Sequence, residues 1–138
     1  MSDEAWTVGI RCAGAMHLVT VALAHFTPIR PRWDENLARL PEVHRRFAVA
    51  QNAFIGLAMI FAGVACLGFA RDLASGSRPA RIICAGIALW WGGRLVVLPW
   101  LGVWPELKSN LLRGGFVALH AECATFAVSF GWLALRPS

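Results

Sequence analysis

Charge is scarce in this chain: Asp, Glu, Lys and Arg make up only 15% of its 138 residues, where soluble domains carry roughly 25%. A water-soluble fold this short leaves much of its surface exposed. It would have to cover that surface with a composition that is 57% hydrophobic, at a mean hydropathy of +0.56. The shortage of charge therefore excludes an ordinary hydrated exterior and predicts that most side chains face lipid.

The usual chemical signatures are missing as well. Without C-x-x-C, a thiol-redox centre of the common form has no basis. Without H-E-x-x-H, a P-loop, G-x-G-x-x-G or G-x-S-x-G, the familiar metalloprotease, nucleotide-binding and hydrolase sites are excluded. His120-x-Glu122 matches the start of a zinc-deaminase signature, but no P-C-x-x-C completes it. The net charge of +5 comes without an RNP-like motif, zinc finger or basic helix, so no nucleic-acid partner is expected. The opening Met-Ser-Asp-Glu is acidic where a secretory signal is positive. The first apolar run is therefore read as a retained span, although Ala22-Leu23-Ala24 imitates a cleavage site. No repeat, low-complexity tract or domain boundary is visible, and residues 1–138 are read as a single domain.

What the sequence does contain is four long apolar runs, from about Trp6 to Phe26, Phe47 to Ala70, Ile82 to Leu101 and Gly115 to Leu135. Each approaches the ~20 residues that a helix needs to cross a bilayer, and none shows the short alternating pattern of a barrel strand. The fold class predicted is all-α: a polytopic membrane protein built as a four-transmembrane-helix bundle. Pro28 and Pro31 are expected to end the first helix. Ser75-Gly76-Ser77 with Pro79 is expected to turn the chain between the second and third. Trp6, Trp33, Trp100, Trp104 and Trp132 gather near the predicted span ends, as interfacial tryptophans do. In the long first loop, Trp33, Leu37 and Leu40 recur at helical spacing, which suits a short amphipathic segment lying in the interface. Pro41 and Glu42 suit the first turn of the next helix.

Basic residues flank the runs, where anionic headgroups and the topology machinery read them. Loops one and three hold seven Lys and Arg residues and the opposite face five. That bias puts loops one and three in the cytoplasm and both termini outside.

Ionisable groups inside a span raise a functional question by default. The third run carries Arg94, the fourth His120 and Glu122, and the first His17; Gln51 and Asn52 stand near the start of the second. Arg94 lies about 10 Å from the Trp100 end of its run, and Glu122 about 10–12 Å from the start of the next, on the same membrane face. An Arg94–Glu122 ion pair is the natural solution, because either charge alone in hydrocarbon is expensive. It reads equally as a packing clasp or as a ligand- or proton-handling site. His120 and Glu122 are turned about 200° apart on a helix, so they face different neighbours. Glu122, Thr125 and Ser129 share a stripe expected to face the interior. Gln51 and Asn52 are expected to act as interhelical hydrogen-bond glue, and Ala58, Ala62, Cys66 and Ala70 as a small-residue packing face. Trp90, with Trp91 adjoining, gives Arg94 an aromatic neighbour able to form a cation–π contact. Cys12, Cys66 and Cys84 sit at similar depth but read as small apolar residues.

In size and span count the chain resembles the small multidrug transporters. Those rely on an acidic residue in the first helix, and the run from Trp6 to Phe26 has none. The composition points first to a non-catalytic subunit, or an accessory or scaffold protein, of a membrane complex, whose partners are the lipid bilayer and either another membrane protein or further copies of itself. A small carrier or ligand-binding bundle using Arg94 and Glu122 is the alternative. A haem- or quinone-linked redox protein using His17 and His120 is a second, its cofactor otherwise unspecified: the two histidines lie about 15 Å and 8–9 Å from the same face, an offset that helix tilt can absorb.

Overall fold

The computed structural model describes residues 3–26 and 30–136, and among them every regular element is helical. In chain order these are α1 (Asp3–Phe26), α2 (Arg30–Ala38), α3 (Glu42–Gly68), α4 (Ala70–Ala74), α5 (Arg78–Trp100), a 3-10 turn at Trp104–Glu106, and α6 (Asn110–Leu135). Helices α1, α3, α5 and α6 are long and apolar enough to cross a membrane. All four also hold large apolar side chains in the open: Leu23 is 65% exposed, Phe54 70%, Leu89 76% and Val128 72%. Only 11% of the most apolar stretch of α3 is buried.

Each long helix starts three to five residues before its apolar run, because polar chemistry sets the start. Asp3 and Glu4 occupy the first turn of α1, where the helix dipole favours negative charge. Pro41 stands just ahead of α3, and Glu42 in its first turn pairs with Arg45 and, at 2.7 Å, with the Nε of Arg46. The hydroxyl of Ser109 accepts the Leu112 amide at 3.2 Å and caps α6.

The ends are equally local. Phe69, at φ −114° and ψ 26°, leaves the helical region and separates α3 from α4. The predicted turn follows: the Ser75 hydroxyl donates to the Asp72 carbonyl at 2.6 Å, and Gly76 takes φ +71°, a left-handed conformation open to glycine. Pro79 then falls in the first turn of α5. Pro31 does not end the first helix; it sits in the first turn of α2, where a missing amide donor costs nothing. Pro28 lies outside the described residues. The helix expected from Trp33 and Leu37 is α2, with Leu37 buried. Leu40 falls beyond its end, where the chain turns.

The helices gather into two compact units, Ala5–Ala70 and Arg71–Ser138 with Met1–Glu4. In the first, α1 and α3 touch through glycine: a methyl built on Gly14 would stand 2.8 Å from the Gly63 carbonyl oxygen and 2.9 Å from the Cys66 Cβ. This is the close approach that small residues allow between apolar helices. The face expected for that role is only partly used, with Cys66 and Ala70 buried, Ala62 half-buried and Ala58 exposed. Gly63, outside that face, makes the contact together with Cys66.

In the second unit, α5 and α6 pack antiparallel. Arg81 pairs with Ala134, Ala88 with Gly131, Trp91 with Phe126 and Gly92 with Ala127. The core between them is Cys84, Ile87, Trp91 and Leu98 against Cys123, Phe126, Phe130 and Leu133. Arg81 closes one end by donating to the Ala134 carbonyl at 2.7 Å, one of the carbonyls that a helix C-terminus leaves unmatched. Arg136 binds the Ala74 carbonyl and reaches Asp3 at 3.4 Å.

Candidate functional site

The polar chemistry of the second unit centres on Trp91, which is fully buried. Its ring meets Phe126 edge-on at 5.1 Å, and Phe126 meets Phe130 at 6.2 Å, giving α5 and α6 an aromatic seam. Arg94 follows one turn later on α5, its guanidinium carbon 6.0 Å from the centre of the Trp91 ring, within cation–π reach. The aromatic partner is thus Trp91 at i−3; Trp90 at i−4 is exposed. Helical spacing allows either residue, and burial selects Trp91.

The Nε–H of Arg94 is buried and has no hydrogen-bond partner among the described residues. A buried donor left unmatched costs about 1–3 kcal/mol, and more when charged. Glu122 is half-buried on α6 beside the fully buried Cys123. The register of α5 on α6, with Trp91 against Phe126 and Gly92 against Ala127, sets Arg94 and Glu122 within about one helical turn of the same level. The expected stripe turns inward only in part. Thr125 is exposed and bonds back to the Ala121 carbonyl at 2.8 Å, and Ser129 is half-buried. The inward face of α6 is the aromatic one, so the polar residues border the core instead of filling it.

His17 and His120 belong to different units. His17 is buried, with Nδ1 2.7 Å from the Ala13 carbonyl. His120 is half-buried, with Nδ1 2.9 Å from the Phe116 carbonyl and its ring 4.4 Å from that of Phe116. A carbonyl oxygen only accepts, so Nδ1 is the donating nitrogen in both rings, and Nε2 carries the lone pair of the neutral form. At the same end of α6, Arg113 donates to the Leu107 carbonyl at 3.0 Å and lies 5.8 Å from the ring centre of Trp104.

Gln51 and Asn52 stand exposed on α3, and neither amide forms a hydrogen bond among the described residues. Among the described residues, no hydrogen bond shows them acting as the glue expected of them. Cys66, Cys84 and Cys123 are buried and Cys12 is exposed; no group of three metal-ligating side chains occurs among the described residues. One feature escaped the sequence entirely: a groove between α2 and the start of α3, which only the folded loop creates. Comparison with protein-family models, with curated proteins and with solved structures finds no match.

Proposed function

We propose that the chain is a four-span membrane protein, folded as one helical bundle, that serves as a non-catalytic subunit or accessory protein of a membrane complex. The observation that carries this reading is the outer face of α3. Gln51 and Asn52 lie within its uncharged run, about 6 Å beyond Phe47 along the axis, exposed and without a hydrogen bond among the described residues. Lipid offers an amide no partner. Hydrogen bonds from such amides to a neighbouring helix contribute about 0.6–2 kcal/mol each, so a helix of another chain is the natural occupant. Loops one and three lie in the cytoplasm and both termini outside, as the charge bias directs.

The test is affinity purification from native membranes with the stoichiometry of the recovered complex measured by mass spectrometry. Wild-type protein is expected to carry one partner at fixed ratio, and the double variant Gln51→Leu, Asn52→Leu to lose it while remaining membrane-embedded. An unchanged complex in the variant overturns the role of α3. A lone wild-type chain overturns the subunit reading.

A second reading has its own support. The unmatched Arg94 Nε–H beside Glu122 suits a small carrier or ligand-binding bundle, in which Arg94 holds an anionic group and Glu122 exchanges a proton or pairs with Arg94 when the site is empty. Proton-linked uptake into liposomes, lost in Arg94→Leu, supports it; tight vesicles without uptake count against it.

A further inference from the structure

The groove between α2 and the first turns of α3 is a shallow, open trough of about 480 Å³ lined wholly by residues of the unit Ala5–Ala70. Leu37, Val49 and Ala50 give it an apolar floor, and Asp34, Arg45 and Arg46 stand around it. Glu42 holds both arginines, Arg45 three residues on and Arg46 four. Each guanidinium has five N–H donors, so these exposed ion pairs leave most of the donors for another acceptor. Asp34 is exposed and takes no part in them, forming no ion pair among the described residues. Two neighbouring cations and one separate carboxylate thus border one apolar trough.

Position along the chain sets the depth of this trough, on the reading that α3 crosses a bilayer. Arg45 and Arg46 are the last charged residues before the uncharged run Phe47–Ala70, and Val49 and Ala50 lie about 5 Å further in. The groove then straddles the boundary between headgroups and acyl chains, and α2 also carries the exposed Trp33, a residue type common at that boundary.

The geometry points to a site for one phospholipid with a primary-ammonium headgroup, a phosphatidylethanolamine, its phosphate on Arg45 and Arg46, its ammonium on Asp34 and an acyl chain along Leu37, Val49 and Ala50. Planar guanidinium forks match phosphate oxygens through paired charge-assisted hydrogen bonds. A carboxylate beside them selects the rest of the headgroup. A phosphatidylglycerol brings no cation to Asp34, and a phosphatidylcholine brings one whose methyl groups leave no N–H to donate.

Native mass spectrometry of the full chain, released from nanodiscs holding equal parts of the three lipids, tests this. Phosphatidylethanolamine is expected to be retained roughly 1.5- to fivefold over the other two, the range set by one exposed ion pair. Asp34→Asn is expected to erase that preference without removing lipid binding, and Arg45→Gln with Arg46→Gln to lower retention of all three alike. Equal retention of the three lipids by wild-type protein, preference for phosphatidylglycerol, or an undiminished preference in Asp34→Asn overturns the assignment. The wild-type comparison needs no variant to fold. Loss of selectivity in a chain that still requires the bilayer removes this site alone, whereas a chain that never inserts into the nanodisc removes the membrane reading beneath it.

Discussion

Replacing Gly14 with alanine sets a methyl group against three atoms of α3: the Gly63 carbonyl oxygen at 2.8 Å, the Cys66 Cβ at 2.9 Å and the Leu67 Cγ at 3.0 Å. The first two are backbone or its immediate branch and cannot rotate away, so relief requires α1 and α3 to separate by several tenths of an ångström. Reciprocally, a methyl on Gly63 meets Leu18 Cδ2 at 2.9 Å and the Gly14 carbonyl oxygen at 3.0 Å, so one shift loosens both sides of the contact. Overpacking of this kind costs typically 1–3 kcal/mol, and in an apolar medium, where van der Waals contact supplies much of helix association, the loss is not recovered elsewhere. Gly9 and Gly56 provide the control, since a methyl on either meets nothing within 4 Å and each sits in a helix that alanine favours by about 1 kcal/mol in water. Thermal or denaturant unfolding in one detergent is expected to place Gly14→Ala and Gly63→Ala 1–3 kcal/mol below wild type and Gly9→Ala and Gly56→Ala at or above it. If Gly14→Ala is as stable as Gly9→Ala, the direct α1–α3 contact is refuted.

If Arg94 and Glu122 form the ion pair expected from their depth, Arg94→Leu lowers the melting temperature in detergent and Glu122→Leu added to it restores part of the loss; a double variant no better than the single rejects the pair. Arg81→Met removes the 2.7 Å bond to the Ala134 carbonyl and is expected to cost about 1–2 kcal/mol of unfolding free energy, whereas Arg81→Lys, with a single flexible ammonium, recovers part of it. Ser109→Ala deletes the α6 cap and is expected to cost about 1 kcal/mol, with Ser109→Asp near wild type; equal losses in both variants would show that the cap contributes nothing.

The existence of the four long helices was legible because continuous apolar length is a property of the chain itself. Their starts were not, because hydropathy ends where the apolar run ends, while the helix continues through Glu42–Arg46, Arg78–Arg81 and Asn110–Arg113 under local polar control. Helix α2 was visible in the spacing of Trp33 and Leu37, yet the chain turns before Leu40, and spacing alone cannot mark a stop. Depth arithmetic along α5 and α6 brought Arg94 and Glu122 to one level. The choice between Trp90 and Trp91 as the cation's neighbour turned on which ring faces α6, a tertiary fact. The Gly14–Gly63 contact was hidden for the same reason: thirteen glycines offer many small faces, and only packing decides which two meet. Gln51 and Asn52 were noticed as amides in an apolar run. That both stand exposed on α3 could be learned only from the fold.

The surfactant requirement of the purified chain bears most directly on the claim that lipid surrounds α1, α3, α5 and α6. Sedimentation velocity after detergent removal is expected to show insoluble aggregate in plain buffer and a monodisperse species on return to detergent or nanodiscs. A monodisperse, helical particle in plain buffer would contradict the account.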